Sequence, residues 1–138
     1  MIIGSGLKQR HVDKYLPLFS TQLLPGETIK GMLRVRNIRP NLTALAVTEV
    51  RIMLLHGALR YFGHIGFYDL NRWAYDARKL SFAVVLNDES GLTFKGIAAA
   101  DGVFLTDFLV NAKEIPRDDA RFVALARRDQ RTDIDSSE

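Results

Sequence analysis

The chain has 138 residues, no cysteine and a net charge of +3 at neutral pH, with 47% apolar and 25% charged side chains. This fits one globular domain able to bury about two thirds of the surface its unfolded form exposes, and it excludes disulfides, thiolate chemistry and cysteine-held zinc. No run approaches the ~18 consecutive apolar residues of a membrane-spanning helix, and Met1-Ile2-Ile3-Gly4 has neither part of a secretory signal, so a soluble, cytoplasmic protein is expected.

In chain order, residues 8–23 begin with a helical spacing: Val12, Tyr15, Leu16 and Phe19 fall at i, i+3, i+4 and i+7. Pro17 removes a backbone donor within that stretch, so the helix is expected to end or kink there. Residues 1–22 read as an N-terminal helical extension ahead of a domain over 23–115. Leu24-Pro25-Gly26-Glu27 marks a turn. Residues 27–36 then alternate, with Ile29, Leu33 and Val35 on one face and Lys30, Met32, Arg34 and Arg36 on the other. That period of two predicts a half-exposed strand. A loop over 37–41 leads into residues 42–56, a stretch of mostly apolar and β-branched residues. It reads as two strands, 42–48 and 51–56, folded back around Glu49-Val50.

Residues 57–63 read as a loop bracketed by glycines, with Tyr61 and Phe62 partly exposed in it. Further strands are expected over 64–70, 72–78, 80–87 and 92–97. The last two are joined by the turn signal Asn87-Asp88-Glu89-Ser90-Gly91. The period then changes. Val103, Phe104, Phe108, Leu109 and Ala112 recur at three- and four-residue steps, predicting an amphipathic helix from Ala99 to about Ala112 that packs Val103, Phe108 and Leu109 on the strands. Ile115-Pro116 ends it. A shorter helical stretch over 117–128 presents Phe122, Leu125 and Ala126, and 129–138 reads as a disordered charged tail.

A strand-only stretch followed by a late helix argues against alternating βαβ units. Seven strands in one open sheet leave edges and an apolar face uncovered, whereas a barrel plugged by a helix buries both. The fold class expected is therefore mainly β with a capping helix. The residues resemble the bacterial pleckstrin-homology-like families over roughly 23–112. Leu23-Leu24-Pro25-Gly26-Glu27 matches their Leu-x-x-Gly-Glu opening, and Leu45-Ala46-Val47-Thr48-Glu49-Val50-Arg51-Ile52 matches their central hairpin. Leu70-Asn71-Arg72-Trp73 and Phe94-Lys95-Gly96-Ile97 match later strands, although Trp73 stands where an aliphatic residue is usual. The resemblance implies a seven-stranded antiparallel barrel closed by a C-terminal helix, here with an extra N-terminal helix.

Signatures of catalysis are missing. His11, His56 and His64 make no metal-ligand pattern, and metal and cofactor sites are expected to be none. Gly57, Gly63 and Gly66 do not space as a phosphate loop, and there is no Gly-x-Ser-x-Gly elbow. No enzyme is expected. Charge is uneven: residues 28–80 carry nine Lys/Arg against three acids, and 81–116 carry two against five. Arg34, Arg36 and Arg39 sit at the end of the first strand and in its loop, where three guanidiniums could grip a phosphate.

Two function classes follow. The first is a non-enzymatic protein-interaction or self-assembly module, a homo-oligomer joined through an apolar surface of Tyr15, Phe19, Tyr61, Phe62 and Phe122. The second is an anionic-ligand module for a lipid headgroup or nucleic acid, using Arg34, Arg36 and Arg39 with Arg60, Arg72 and Arg78 as further contributors.

Overall fold

A computed structural model describes residues 1–112 and 118–136. The central hairpin forms as the composition predicts. Its strands, β3 (Leu42–Thr48) and β4 (Arg51–His56), pair antiparallel with Leu45 opposite Leu54 and Val47 opposite Ile52. On one side β3 pairs with β2 (Ile29–Asn37), and β2 takes a two-residue parallel strand, β1 (Ile2–Ile3), on its far edge. On the other side β4 pairs with β5 (Tyr61–Gly66). After a 3-10 turn over Phe67–Asp69 come β6 (Leu70–Asp76), β7 (Ser81–Leu86) and β8 (Gly91–Lys95), a separate antiparallel sheet.

The chain is thus mainly β, its described residues forming eight strands in a five-stranded and a three-stranded sheet that do not close into one barrel of seven. Where a barrel would continue its backbone ladder from β2 to β8, a side chain does the joining. The Asn37 amide donates to the Thr93 carbonyl at 2.8 Å and accepts the Lys95 N–H at 2.8 Å. A register irregularity between Arg34 and Asn37 turns β2 towards that junction.

The described residues also form three helices: α1 (Gln9–Ser20), α2 (Ala99–Ala112) and α3 (Ala120–Ser136). Helix α1 continues through Pro17 for its last turn, because Tyr15 and the fully buried Phe19 on either side hold it against the sheet. It lies on Met32, Ala44, Ala46, Met53 and Leu55, making a second apolar core. Met32, expected on a solvated face, is therefore buried. The small Ala44 and Ala46 let the helix approach closely. The main core lies on the sheet's other face, where Leu33, Leu45, Val47, Ile52 and Leu54 meet Phe82, Val84 and Phe94 of the second sheet.

Helix α2 has the bounds that the sequence predicts and packs Phe108 and Leu109 inward as expected, but not Val103. Leu105, Leu109 and Ala112 are buried and Phe108 packs against the core, while Val103 is 60% exposed. Asp101 in its first turn is buried and accepts the Ser5 N–H at 3.1 Å, tying the N-terminal strand to the helix. Gly31 makes room for the Phe104 ring, since a Cβ there would stand 2.7 Å from it.

Strand β5 begins at Tyr61, three residues earlier than expected, because Tyr61 pairs with Leu55. Helix α3 runs on to Ser136 through most of the stretch expected to be a disordered tail. The expected stop at Ile115-Pro116 lies outside the described residues. None of the described helices is long and apolar enough to cross a membrane.

Candidate interaction surfaces and the buried polar network

The two sheets differ in how their outer faces are treated. Helix α1 covers that of the five-stranded sheet, but no described helix covers that of the three-stranded one. In register across β6, β7 and β8 stand Ala74, Ala83 and Thr93, and beside them Asp76, Ser81 and Lys95. Because the middle row is short, the face is recessed into a groove of about 970 Å³. Its end wall is the β6–β7 turn, carrying Arg78 and Lys79. The Asp76 carboxylate is folded into that turn, where Oδ1 accepts the Arg78 N–H at 2.9 Å and the Lys79 N–H at 3.3 Å. Leu80 follows with a φ of 50°, a left-handed conformation that a branched residue seldom takes.

The interior holds a polar network centred on Arg51, whose side chain and that of Glu27 are both 0% exposed. Arg51 Nε donates to Glu27 Oε2 at 2.8 Å, and Nη2 donates to Glu27 Oε1 at 2.8 Å and to the Gln22 carbonyl at 2.6 Å. Nη1 reaches the Tyr61 hydroxyl and His64 Nδ1, each at 3.3 Å. Since a guanidinium only donates, His64 Nδ1 accepts, and its Nε2–H donates to Asp129 Oδ1 of α3 at 2.9 Å. The Tyr68 hydroxyl donates to the other Asp129 oxygen.

The electrostatics follow from this burial. It pushes the Tyr61 hydroxyl up to about 12. It also lowers the His64 imidazole, aided by the Arg51 charge and opposed by Asp129. For Glu27 burial acts upwards, but the hydrogen bonds from Arg51, the Leu24 N–H and Thr48 outweigh it and hold the carboxyl below its usual range. No buried side-chain polar atom among the described residues lacks a partner. A guanidinium whose donors are all engaged this way positions chain segments and leaves no donor for a substrate.

The anticipated site residues fall in separate places. Arg34 is half-buried, with its aliphatic part beside Gly6, whereas Arg36 lies over Gly96 past the end of β8. Arg39 is exposed in the loop before β3. None of the three pairs with a carboxylate among the described residues. Of the aromatic residues expected on an interaction surface, Tyr15 and Phe19 are buried under α1, and Phe122 is buried in the main core. Tyr61 is half-buried in the Arg51 network, while Phe62 stays 50% exposed and stacks on His56. Their apolar area is thus largely covered by the chain's own sheets. No metal-holding group of acids and histidines occurs among the described residues.

Sequence reasoning passed over Lys79 and Lys95 as site candidates. In β6 Ala74 and Asp76 share one face of the strand, and that no described helix covers this face is a tertiary fact. Compared with known proteins, the chain matches no protein-family model, and no match to a curated protein was found.

Proposed function

We propose that the chain is a non-enzymatic interaction module of a pleckstrin-homology-like type, acting in the cytoplasm and self-associating through an exposed apolar strip. The strand order with a helix after the last strand, and the two sheets packed across one core, support the fold reading. The observation that carries the functional one is the strip itself. Ile2 and Ile3 on the edge strand β1 are 53% and 39% exposed, and Val103 and Val110 on the outer side of α2 are 60% and 54% exposed. The two elements adjoin, because Ile2 pairs with Gly31 and the Phe104 ring of α2 lies against that same glycine. An open strand edge beside apolar side chains is what a second copy would cover. Light scattering at rising concentration should show a dimer or larger species that Val103→Glu disperses without loss of folding. A wild-type chain that stays monomeric at high micromolar concentration in low and high salt refutes self-association.

A second reading, binding of an anionic lipid headgroup, is favoured by one loop. Ile38 is 84% exposed between the exposed Arg36 and Arg39, an apolar tip flanked by cations. Sedimentation with phosphatidylserine vesicles, lost in Ile38→Asp, would support it. Equal sedimentation of the variant would refute it.

A further inference from the structure

We infer that the groove on the outer face of the three-stranded sheet is a docking site for an extended, acidic segment of a partner protein. The inference deepens the interaction-module reading and rests on it, but uses a different face from the self-association strip. Charge complementarity names the occupant. Arg78 and Lys79 form the end wall and Lys95 flanks the floor, all three exposed, and none pairs with a carboxylate among the described residues. Arg36, lying over Gly96 next to Lys95, extends the same positive rim. Among the described residues lining the groove Asp76 is the one acid, its Oδ1 taken up by the Arg78 and Lys79 amides, and it is outnumbered by Arg78, Lys79 and Lys95.

The floor decides what kind of anion fits. Ala74, Ala83 and Thr93 present methyl groups three strands wide, a mostly apolar floor that suits small aliphatic side chains. Among the described residues lining the groove, Tyr75 is the one aromatic, and it is half-buried. Tyr75 turns its ring towards Phe82 in the core, and its hydroxyl donates to the Ile97 carbonyl at 2.6 Å. A polypeptide alternating acidic and aliphatic residues satisfies both the rim and the floor. Single-stranded nucleic acid satisfies only the rim.

The test titrates the full chain with a short, fluorescently labelled peptide alternating Glu and Val, followed by anisotropy and by amide shifts of β6–β8. The expected result is saturable binding, weakened about tenfold or more by Lys79→Glu with Lys95→Glu and steeply reduced towards 1 M salt, where the screening length falls to about 3 Å. Ala83→Trp, which fills the floor and leaves the rim intact, should also abolish binding. Thermal melting checks that each variant folds. No binding by the wild-type chain at millimolar peptide overturns the inference, as does binding untouched by Ala83→Trp. Displacement of the peptide by a single-stranded oligonucleotide that binds more tightly also overturns it, in favour of nucleic acid. A chain that self-associates yet ignores the peptide sinks this inference alone, whereas one that binds the peptide as a strict monomer sinks only the self-association reading.

Discussion

Arg51 and Glu27 face each other as a two-pronged pair, both bonds 2.8 Å long and neither side chain exposed to solvent. Twenty-four residues apart in the chain, they pin the turn after α1 to the second strand of the central hairpin. Breaking such a pair leaves a charge buried without its counterion, which costs about 3–5 kcal/mol. Glu27→Ala should therefore lose about that much unfolding free energy in urea. Arg51→Met combined with Glu27→Leu should lose much less than the two single changes added together. Additive losses would show that the pair is not coupled.

Acid should weaken the fold in two stages. Burial holds His64 below its ordinary value of 6.5, so the unfolded chain takes up that proton first. Its contribution is complete above about 6.5 and is lost as pH falls towards the lower folded value. Glu27 likewise titrates below its ordinary 4.5 in the fold, and its contribution is present above that value and lost below it. Unfolding free energy measured from pH 8 to pH 3 should fall through both windows. In His64→Phe the upper stage should vanish while the lower one stays. An unchanged upper stage in that variant would contradict the assignment.

Phe19 is fully buried between α1 and the five-stranded sheet, so Phe19→Ala should cost about 3–5 kcal/mol. Deleting residues 1–22 should do more harm, because it uncovers Met32, Met53 and Leu55 and removes the Gln22 carbonyl that accepts from Arg51. Such a chain should aggregate or melt at much lower temperature. A truncated chain that keeps the full-length melting temperature would show that α1 is dispensable.

The inward face of α2 is tested by a pair of substitutions. Leu109 is 1% exposed and Val103 is 60% exposed. Leu109→Ala should cost about 2–5 kcal/mol, and Val103→Ala should stay within about 0.5 kcal/mol. Equal losses would mean that the helix is rotated.

Asn37→Ala removes both bonds that join β2 to β8 and leaves the Thr93 carbonyl and the Lys95 N–H without that partner. A loss of about 1–3 kcal/mol for each group left unsatisfied is expected, with faster hydrogen exchange at Lys95. Unaltered exchange there would place the junction elsewhere.

Much of this architecture can be read from residue order. The hairpin at 42–56, the three later strands and α2 follow from period and turn residues alone. What sequence periodicity could not carry is how many faces of a strand are covered. Lys30, Met32, Arg34 and Arg36 share a nominal face, yet Met32 is buried and Arg34 half-buried because α1 returns over that side of the sheet. The same return takes Tyr15 and Phe19 out of any surface. The groove was illegible for the complementary reason, since Ala74, Ala83 and Thr93 are unremarkable until the strands bring them into one row. Arg51 reads as one more strand cation, and only the fold puts Glu27, Tyr61 and His64 around it.

The clasp made by α3 has a consequence for how the protein is made. Arg121 reaches back to the Gly26 carbonyl, 95 residues earlier, and Asp129 to His64, 65 residues earlier. Both earlier partners leave the ribosome long before the helix that completes them exists. The nascent chain must keep a half-built sheet, with its Arg51 cluster unsealed at one side, until α3 has been made. Contacts so distant in sequence make folding slow and cooperative. The Arg51 cluster is therefore sealed only once α3 docks.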